Sequence, residues 1–476
     1  MSTLGRDIAA AQLELARTPR TPPLLAQLGD ARTPAALGQL ARQAIVDHAP
    51  LLGRPTGEAP QRLRREYREA LGFSELDLAY RELYPGLDTG IYGCSHSMGI
   101  PSVAGPAAVV AQLGELVRDG IGVWDDGLWG SVMDRYRAAC AELVGGNLVD
   151  GDVAWFPNVS EALHATLEGI HGGTLVYTAG HFTTGHYVHH QWASNSGGKL
   201  VEVPVDADGS VPTERLVAAL TPDVRVLSIS HALFESGWLQ DLPTLARALR
   251  ERCPDALLLV DAYQTAGSVP IDAAALGDHV VVTAGGHKQL RSSAGAGFLY
   301  LPRRWCRTLT PARTGWWGHA DPFAFEKGPV RRAEDATRFR SGTPTLAGMA
   351  MLLGELAALG SSADGSISGG VRRARRVTTG LVAQLCDRAR GAGLRVRGDW
   401  PADRRAAFVC LELEQARGIN DALGHAGIRT DFRPRRPGGD AGWIRASGNS
   451  AAFPYEMDAI IDAIAAHPGS LPTGGR

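Results

Sequence analysis

Short apolar, β-rich runs recur along the middle of the chain, separated by stretches with helical spacing. The runs are VAWF (153–156), TLVYT (174–178), LVEV (200–203), VRVLSIS (224–230), LLLVD (257–261), VVVT (280–283) and GFLYL (297–301). Strands alternating with helical stretches predict crossover units and a largely parallel sheet covered on both faces, an α/β fold with a mostly parallel seven-stranded sheet. In such sheets ligands sit beyond the carboxyl ends of the strands. Two runs end in residues that call for a reason. LLLVD ends in Asp261, and VVVT is followed by AGGHK, which places Lys288 where a buried strand stops. A buried ammonium is costly, so that group must be paired, neutral or chemically used.

The flanks read differently. Residues 1–95 predict a helical arm and entry segment, 96–345 a large ligand-binding domain, and 346–476 a smaller α+β domain. That last part has an apolar helix (LAGMAMLLGELAAL), a Gly/Ser-rich turn at 360–370, the strands LRVRG and AAFVCLEL, and a closing helix over 456–467. The stretch 302–345 carries GWWGHADPF and RFRSGTP with little strand or helix signal, and a loop of that length is usually functional.

Composition narrows the classes. With 48 Lys+Arg against 50 Asp+Glu the formal charge is −2, which offers no electrostatic case for nucleic acid or anionic membrane. No apolar run approaches the about 20 residues that a membrane span needs. The first residues lack the apolar core of a signal peptide, so a cytoplasmic location is expected. The six cysteines, Cys94, Cys140, Cys253, Cys306, Cys386 and Cys410, form no CxxC pair and predict reduced, packed thiols. HFTTGHYVHHQW (181–192) holds four histidines and three aromatics, but without acidic partners it predicts no metal site.

An acid at one strand end and a lysine 27 positions later suit pyridoxal phosphate. That cofactor needs a carboxylate against its pyridine nitrogen and an amine to form a Schiff base. It also needs an anion cradle such as a helix N-terminus, which NVSEALHATL (158–167) offers at Val159 and Ser160, and a flat group over the ring, for which His181 and Phe182 are candidates. Taken singly, each feature has a plainer reading as a cap or a solvated surface group.

At these residues the chain resembles a known family. VDAYQTAGSVPID (260–272) followed by GGHKQLRSSAGAGFLYL (285–301) is similar to the class V aminotransferase superfamily of fold-type I pyridoxal phosphate enzymes, which includes kynureninases, cysteine desulfurases and isopenicillin N epimerase-like proteins. SISHALFESG (228–237), GWWGHADPF and RFRSGTP are nearest to kynureninase, whereas the HK pair and the Gln of DAYQ look like the desulfurases and epimerases. The resemblance implies Lys288 as the Schiff-base lysine, Asp261 as the partner of the pyridine nitrogen, and His287 beside them. It implies Gln264 at the phenolic oxygen of the cofactor, Phe182 stacked on its ring, and Val159, Ser160 and Trp316 on the phosphate side. Thr343 matches a residue that reaches the phosphate of a neighbouring subunit, which implies a homodimer. Arg445, in IRASGNS (444–450), matches the carboxylate-binding arginine, and His96, Ser97 and Tyr187 complete the expected substrate set.

The departures steer the reaction. Kynureninases carry a tyrosine immediately before the lysine, and here that position is His287. GCSHSMGIPS (93–102) places His96 where their early motif has asparagine. Desulfurases need a cysteine on the loop before the final strand, and IRTDFRPRRPGG (428–439) has none. The hydroxyl residue that usually precedes the lysine and holds phosphate is replaced by Gly285 and Gly286. The four arginines of that last loop read either as solvated charge or as a site for an acidic, oxygen-rich substrate. The first expectation is an amino-acid lyase cleaving at the β-carbon, at Cβ–S or Cβ–Cγ, with decarboxylation as a further option. Cysteine S-conjugate processing, as in lincosamide antibiotic biosynthesis, is a candidate of that kind. An epimerase or aminotransferase is the alternative, and a non-catalytic scaffold of the same fold is the rival from another class.

Overall fold

The computed structural model describes residues 74–125, 128–398 and 400–470, together with Arg6, Ala9 and Ala10. Most of the expected N-terminal arm therefore lies outside the described residues. Each of the seven apolar runs forms a strand: β1 Gly151–Phe156, β2 Thr174–Thr178, β3 Lys199–Val203, β4 Val224–Ser230, β5 Leu257–Asp261, β6 Val280–Gly285 and β7 Gly297–Pro302. They make one sheet in the order β1-β7-β6-β5-β4-β2-β3. Every neighbouring pair is parallel except those made by β7, which runs antiparallel to both β1 and β6. The fold is the fold-type I α/β architecture. β5 is apolar up to Asp261, and β6 carries no polar side chain but the buried Thr283, because helices cover both faces.

The helices that pack here start where the sequence supplies caps. Asn158 accepts from the Glu161 amide at 3.0 Å and opens the helix Val159–Leu167. Asp241 does the same for Thr244 at 3.1 Å and opens Leu242–Arg252. The stretch after β7 is less irregular than its sequence suggests: it holds a short helix, Arg303–Thr308, and three single turns of 3-10 helix.

A second, antiparallel sheet has four strands, β8 Arg395–Val396, β9 Phe408–Leu413, β10 Asp431–Pro434 and β11 Gly442–Ser447, in the order β10-β11-β9-β8. Its own core includes Leu385, Val409, Leu411, Ile444, Met457 and Ile460, contributed partly by the helices Ile367–Gly391 and Pro454–Ala465. Ile91–Tyr92 pairs in parallel with Ile428–Arg429, and the Gly93 carbonyl accepts from the Ser447 amide at 2.9 Å, which ties the segment 93–102 to this second sheet. The same segment also reaches the first sheet. Gly99 donates its amide to the His287 carbonyl at 2.8 Å, and a Cβ at Gly99 would lie 2.4 Å from the Lys288 carbonyl oxygen. Only glycine permits that approach. Segment 93–102 thus bridges the end of β6 and the strand that carries Arg445.

Candidate active site

Beyond the carboxyl ends of β4, β5 and β6 lies a cavity of about 190 Å³. Lys288, Asp261, Gln264, Phe182, Val159 and Ser160 all line it. Strand register explains the convergence. β5 pairs with β4 and β6 so that Asp261 lies opposite Ser230 on one side and Thr283 on the other. The chain then turns after Gly285 and brings Lys288 back over the same end.

Burial pushes the Lys288 amine down to about 8, against the opposing pull of Asp261. The same burial raises the Asp261 carboxyl, which the Tyr263 amide (donating at 2.9 Å) and the Lys288 charge oppose. The Lys288 ammonium lies 4.4 Å from the centroid of the Tyr263 ring and 5.7 Å from that of Phe182. Gln264, with its amide turned to suit both neighbours, accepts from Lys288 Nζ at 3.2 Å and donates to the His96 carbonyl at 2.9 Å. At the other end of the cavity the Asn158 side chain takes the Glu161 amide. The amides of Val159 and Ser160, which have no intrahelical acceptor, remain available as donors there.

Tyr263 was not singled out from the sequence, although it sits inside VDAYQ. Its hydroxyl bonds His287 Nδ1 at 2.6 Å. Its ring also explains the missing hydroxyl residue before the lysine, because a Cβ at Gly285 would lie 2.1 Å from Tyr263 Cε2. The space that a side chain at 285 would use is filled by a phenol ring arriving from β5. The only sequence signal was that pair of glycines at 285 and 286.

Of the expected substrate set, His96 and Ser97 gather around Arg445, which is buried on β11. Its Nη1 donates to the Phe234 carbonyl at 2.7 Å, and its Nη2 meets the Ser97 hydroxyl at 3.2 Å and ion-pairs with Asp431. His96 is buried beside them, stacked on Phe408 at 4.9 Å, and burial lowers it to about 3 so that it is neutral. Asp431, the acid in the arginine-rich loop, is a second residue that sequence reasoning passed over. Of the arginines there, Arg433 contacts Asp431 at 2.9 Å and Arg435 contacts Glu412 at 2.6 Å, so both are paired within the chain.

Other expected residues lie elsewhere. Tyr187 is 72% exposed on the helix Thr183–Ser196. Trp316 joins an aromatic cluster with Trp124, Trp317 and Phe323. Thr343 lines a separate cavity of about 290 Å³ with Arg137 and Arg340. His181 does not line the Lys288 cavity; its Nε2 bonds the Ser228 carbonyl at 2.9 Å, and His189 bonds the Ser228 hydroxyl at 2.9 Å, so these histidines anchor their helix to β4. Among the described residues no group of three His, Cys, Asp or Glu is placed to hold a metal, and no helix is long and apolar enough to cross a membrane.

The residues around Lys288 suit pyridoxal phosphate. An amine lowered to about 8, a carboxylate, two helix N-terminal amides and an aromatic face line one cavity, and a Cβ at Gly285 would disturb it. Comparison with known proteins agrees. Residues 130–423 match the model of the aminotransferase class-V family. An uncharacterized aminotransferase of Bacillus subtilis, YcbU, is 28% identical over 270 residues, 56% of this chain and 68% of that protein. A kynureninase of Burkholderia pseudomallei is 25% identical over 367 residues, 73% of this chain and 82% of its own length. Among solved structures, the cystine C-S lyase C-DES in complex with its reaction product cysteine persulfide superposes with a TM-score of 0.71 at 20% identity, covering 80% of this chain and 99% of that one. The cysteine desulfurase CsdA from Escherichia coli gives a TM-score of 0.68 at 20% identity over 82% of this chain and 98% of its own.

Proposed function

The chain belongs to the aminotransferase class-V family and is a pyridoxal phosphate-dependent enzyme, and on that premise we propose that it is a lyase cleaving an amino acid at its β-carbon, at a Cβ–Cγ or Cβ–S bond. Pyridoxal phosphate, when bound, supplies an aldehyde that captures the substrate amine and a ring that takes up the electron pair released at Cα. In this reading Lys288 would hold the cofactor, and its amine, lowered to about 8, is the group placed to take the Cα proton. Asp261 keeps the pyridine nitrogen protonated, Phe182 covers the ring, and the Val159 and Ser160 amides with the Ser160 hydroxyl receive the phosphate. Arg445 takes the substrate carboxylate, flanked by His96 and Ser97.

The observation that carries the choice of bond is the 2.6 Å contact between Tyr263 and His287 beside Lys288. When Cβ–S breaks with its electron pair on sulfur, the departing sulfur needs a proton. When Cβ–Cγ breaks after water adds at the Cγ carbonyl, the pair stays on Cβ and Cβ needs the proton. In both, Lys288 is occupied at Cα. Where the resemblance to kynureninase implies a tyrosine next to the lysine, here a phenol arrives from just after β5 and bonds His287, so an acid stands in the same neighbourhood by another route. Persulfide chemistry has less support. Burial pushes the Cys94 thiol, which lies near Arg445 and Asp431, up to about 12, and that of Cys410 likewise to about 12, so neither is a ready thiolate.

The test is a product assay of the holoenzyme with S-alkyl cysteines and γ-oxo amino acids. We expect a thiol with pyruvate and ammonia, or a carboxylic acid with alanine. Tyr263→Phe should lower that turnover by about 10²-fold, the lower end for loss of a general acid. Transfer of the amino group to a 2-oxo acid with Cβ intact would favour the aminotransferase reading, which the Bacillus subtilis relative supports. No reaction with any member of the panel would remove both.

A second copy of the chain completes the site in the same proposal. Thr343 and Trp316 lie away from their own Lys288 cavity, and Val110, Leu113, Val117 and Ile121 present an exposed apolar stripe on and just after the helix Ala104–Asp119, at 45–87% exposure. An exposed apolar stripe of this kind supports an interface there. Sedimentation should give a dimer; a monomer at micromolar concentration would count against it.

A further inference from the structure

Arg445, bonded to the carbonyl of the cavity-lining Phe234, already holds a carboxylate. Across the β10–β11 register Asp431 lies directly opposite Arg445. Asp431 Oδ2 ion-pairs with Arg445 Nη2 and accepts from the Ser97 hydroxyl at 2.8 Å, and its Oδ1 lies 2.9 Å from Arg433 Nη1. The Arg445 side chain is 2% exposed, and its Nε has no hydrogen-bond partner. His96, whose ring nitrogens are buried without hydrogen-bond partners, places Nε2 3.4 Å from the same Asp431 oxygen.

A guanidinium buried this deeply needs a counter-ion, and Asp431 supplies it before any substrate arrives. An incoming carboxylate cannot share Arg445 Nη2 with Asp431 without placing two anions in contact, so one must leave. Asp431 has a place to go. Its other oxygen is already on Arg433, whose side chain is 38% exposed and whose Nη1 also donates to the Phe432 carbonyl at 3.0 Å. The charges also set a number. Arg433 and Arg445 bring two positive charges and Asp431 one negative, so a single further carboxylate closes the balance.

We propose that Asp431 is the resident counter-ion of Arg445, that the one carboxylate of an amino acid with an uncharged side chain displaces it onto Arg433, and that its presence excludes dicarboxylic substrates. The proposal rests on the reading of Arg445 as the carboxylate site and names the substrate class of that site. Asp431 is then a specificity residue, and Arg433 a positioning residue acting through it.

The test is calorimetric titration of the holoenzyme with propionate, which has no amine to react, and with succinate. Asp431→Asn should bind propionate at least 10-fold more tightly and lose most of its preference for propionate over succinate. Arg433→Gln should bind propionate at least 10-fold more weakly. In the double variant the Arg433→Gln effect should vanish to within about twofold, because there is no carboxylate left to park. Independent, additive effects of the two substitutions, or an unchanged preference against succinate, would overturn the exchange. If Asp431→Asn does not fold, Arg433→Gln decides alone, and an unchanged propionate affinity there overturns it. Arg445→Lys separates the two levels. If it leaves propionate binding intact, the reading of Arg445 itself falls; if it weakens binding while the cycle is additive, only the exchange falls.

Discussion

Two cations are buried around one cavity, and the protein treats them in opposite ways. Lys288 lies against aromatic rings, with Asp261 the carboxylate that acts on it most strongly, and burial brings its amine down to about 8. Arg445 cannot lose its proton, so it is held by Asp431, Ser97 and the Phe234 carbonyl, and against its own burial Asp431 is driven well below the usual carboxylate range by His96, Arg445 and Arg433. The first cation is made reactive by being left short of partners. The second is kept charged by being given them. One end of the site therefore suits covalent chemistry and the other suits recognition.

Asp261 sharpens that contrast most. Asp261→Asn keeps the shape and removes the charge that holds the Lys288 amine up. Turnover should fall by about 10²–10³-fold, the usual loss when an electrostatic stabiliser is removed. The apo-protein should nevertheless capture free pyridoxal phosphate at lower pH than the wild type, since the lysine loses its proton more easily. Visible absorbance during reconstitution reads both effects, and a capture profile shifted upward would contradict the assignment. Smaller in size is the wild-type pH profile. Below the Lys288 value of about 8 the neutral amine, and with it the capture rate, should drop about 10-fold per pH unit. Propionate binding at Arg445 should change less than about twofold between pH 5 and 9. Asp431 stays ionised there and His96, lowered to about 3, stays neutral. A propionate profile that follows the lysine would dissolve the distinction between the two ends.

Much of this arrangement was visible in the chain. All seven strands follow from apolar runs, because a strand covered on both faces must be apolar almost throughout. Asp261 and Lys288 stood out because each breaks such a pattern where the pattern ends. Tyr263 and Asp431 did not. A tyrosine beside a strand end is ordinary, and nothing local says that its ring will occupy the volume above Gly285. An aspartate among arginines looks solvated until β10 pairs with β11 and sets it opposite Arg445. The clustered histidines of 181–190 misdirected attention for a related reason, since His181 and His189 turn inward to the Ser228 carbonyl and hydroxyl of β4.

The order of apolar and polar residues by itself determined the sheet, its two-sided burial and the positions where chemistry interrupts it, because burial is a property of each residue in turn. Which phenol meets which imidazole, and which carboxylate neutralises the arginine, was decided only by tertiary structure. Those partners lie 24 and 14 residues apart along the chain, and contacts of a few ångströms between them depend on strand register and on two glycines, 99 and 285, that leave room for the approach.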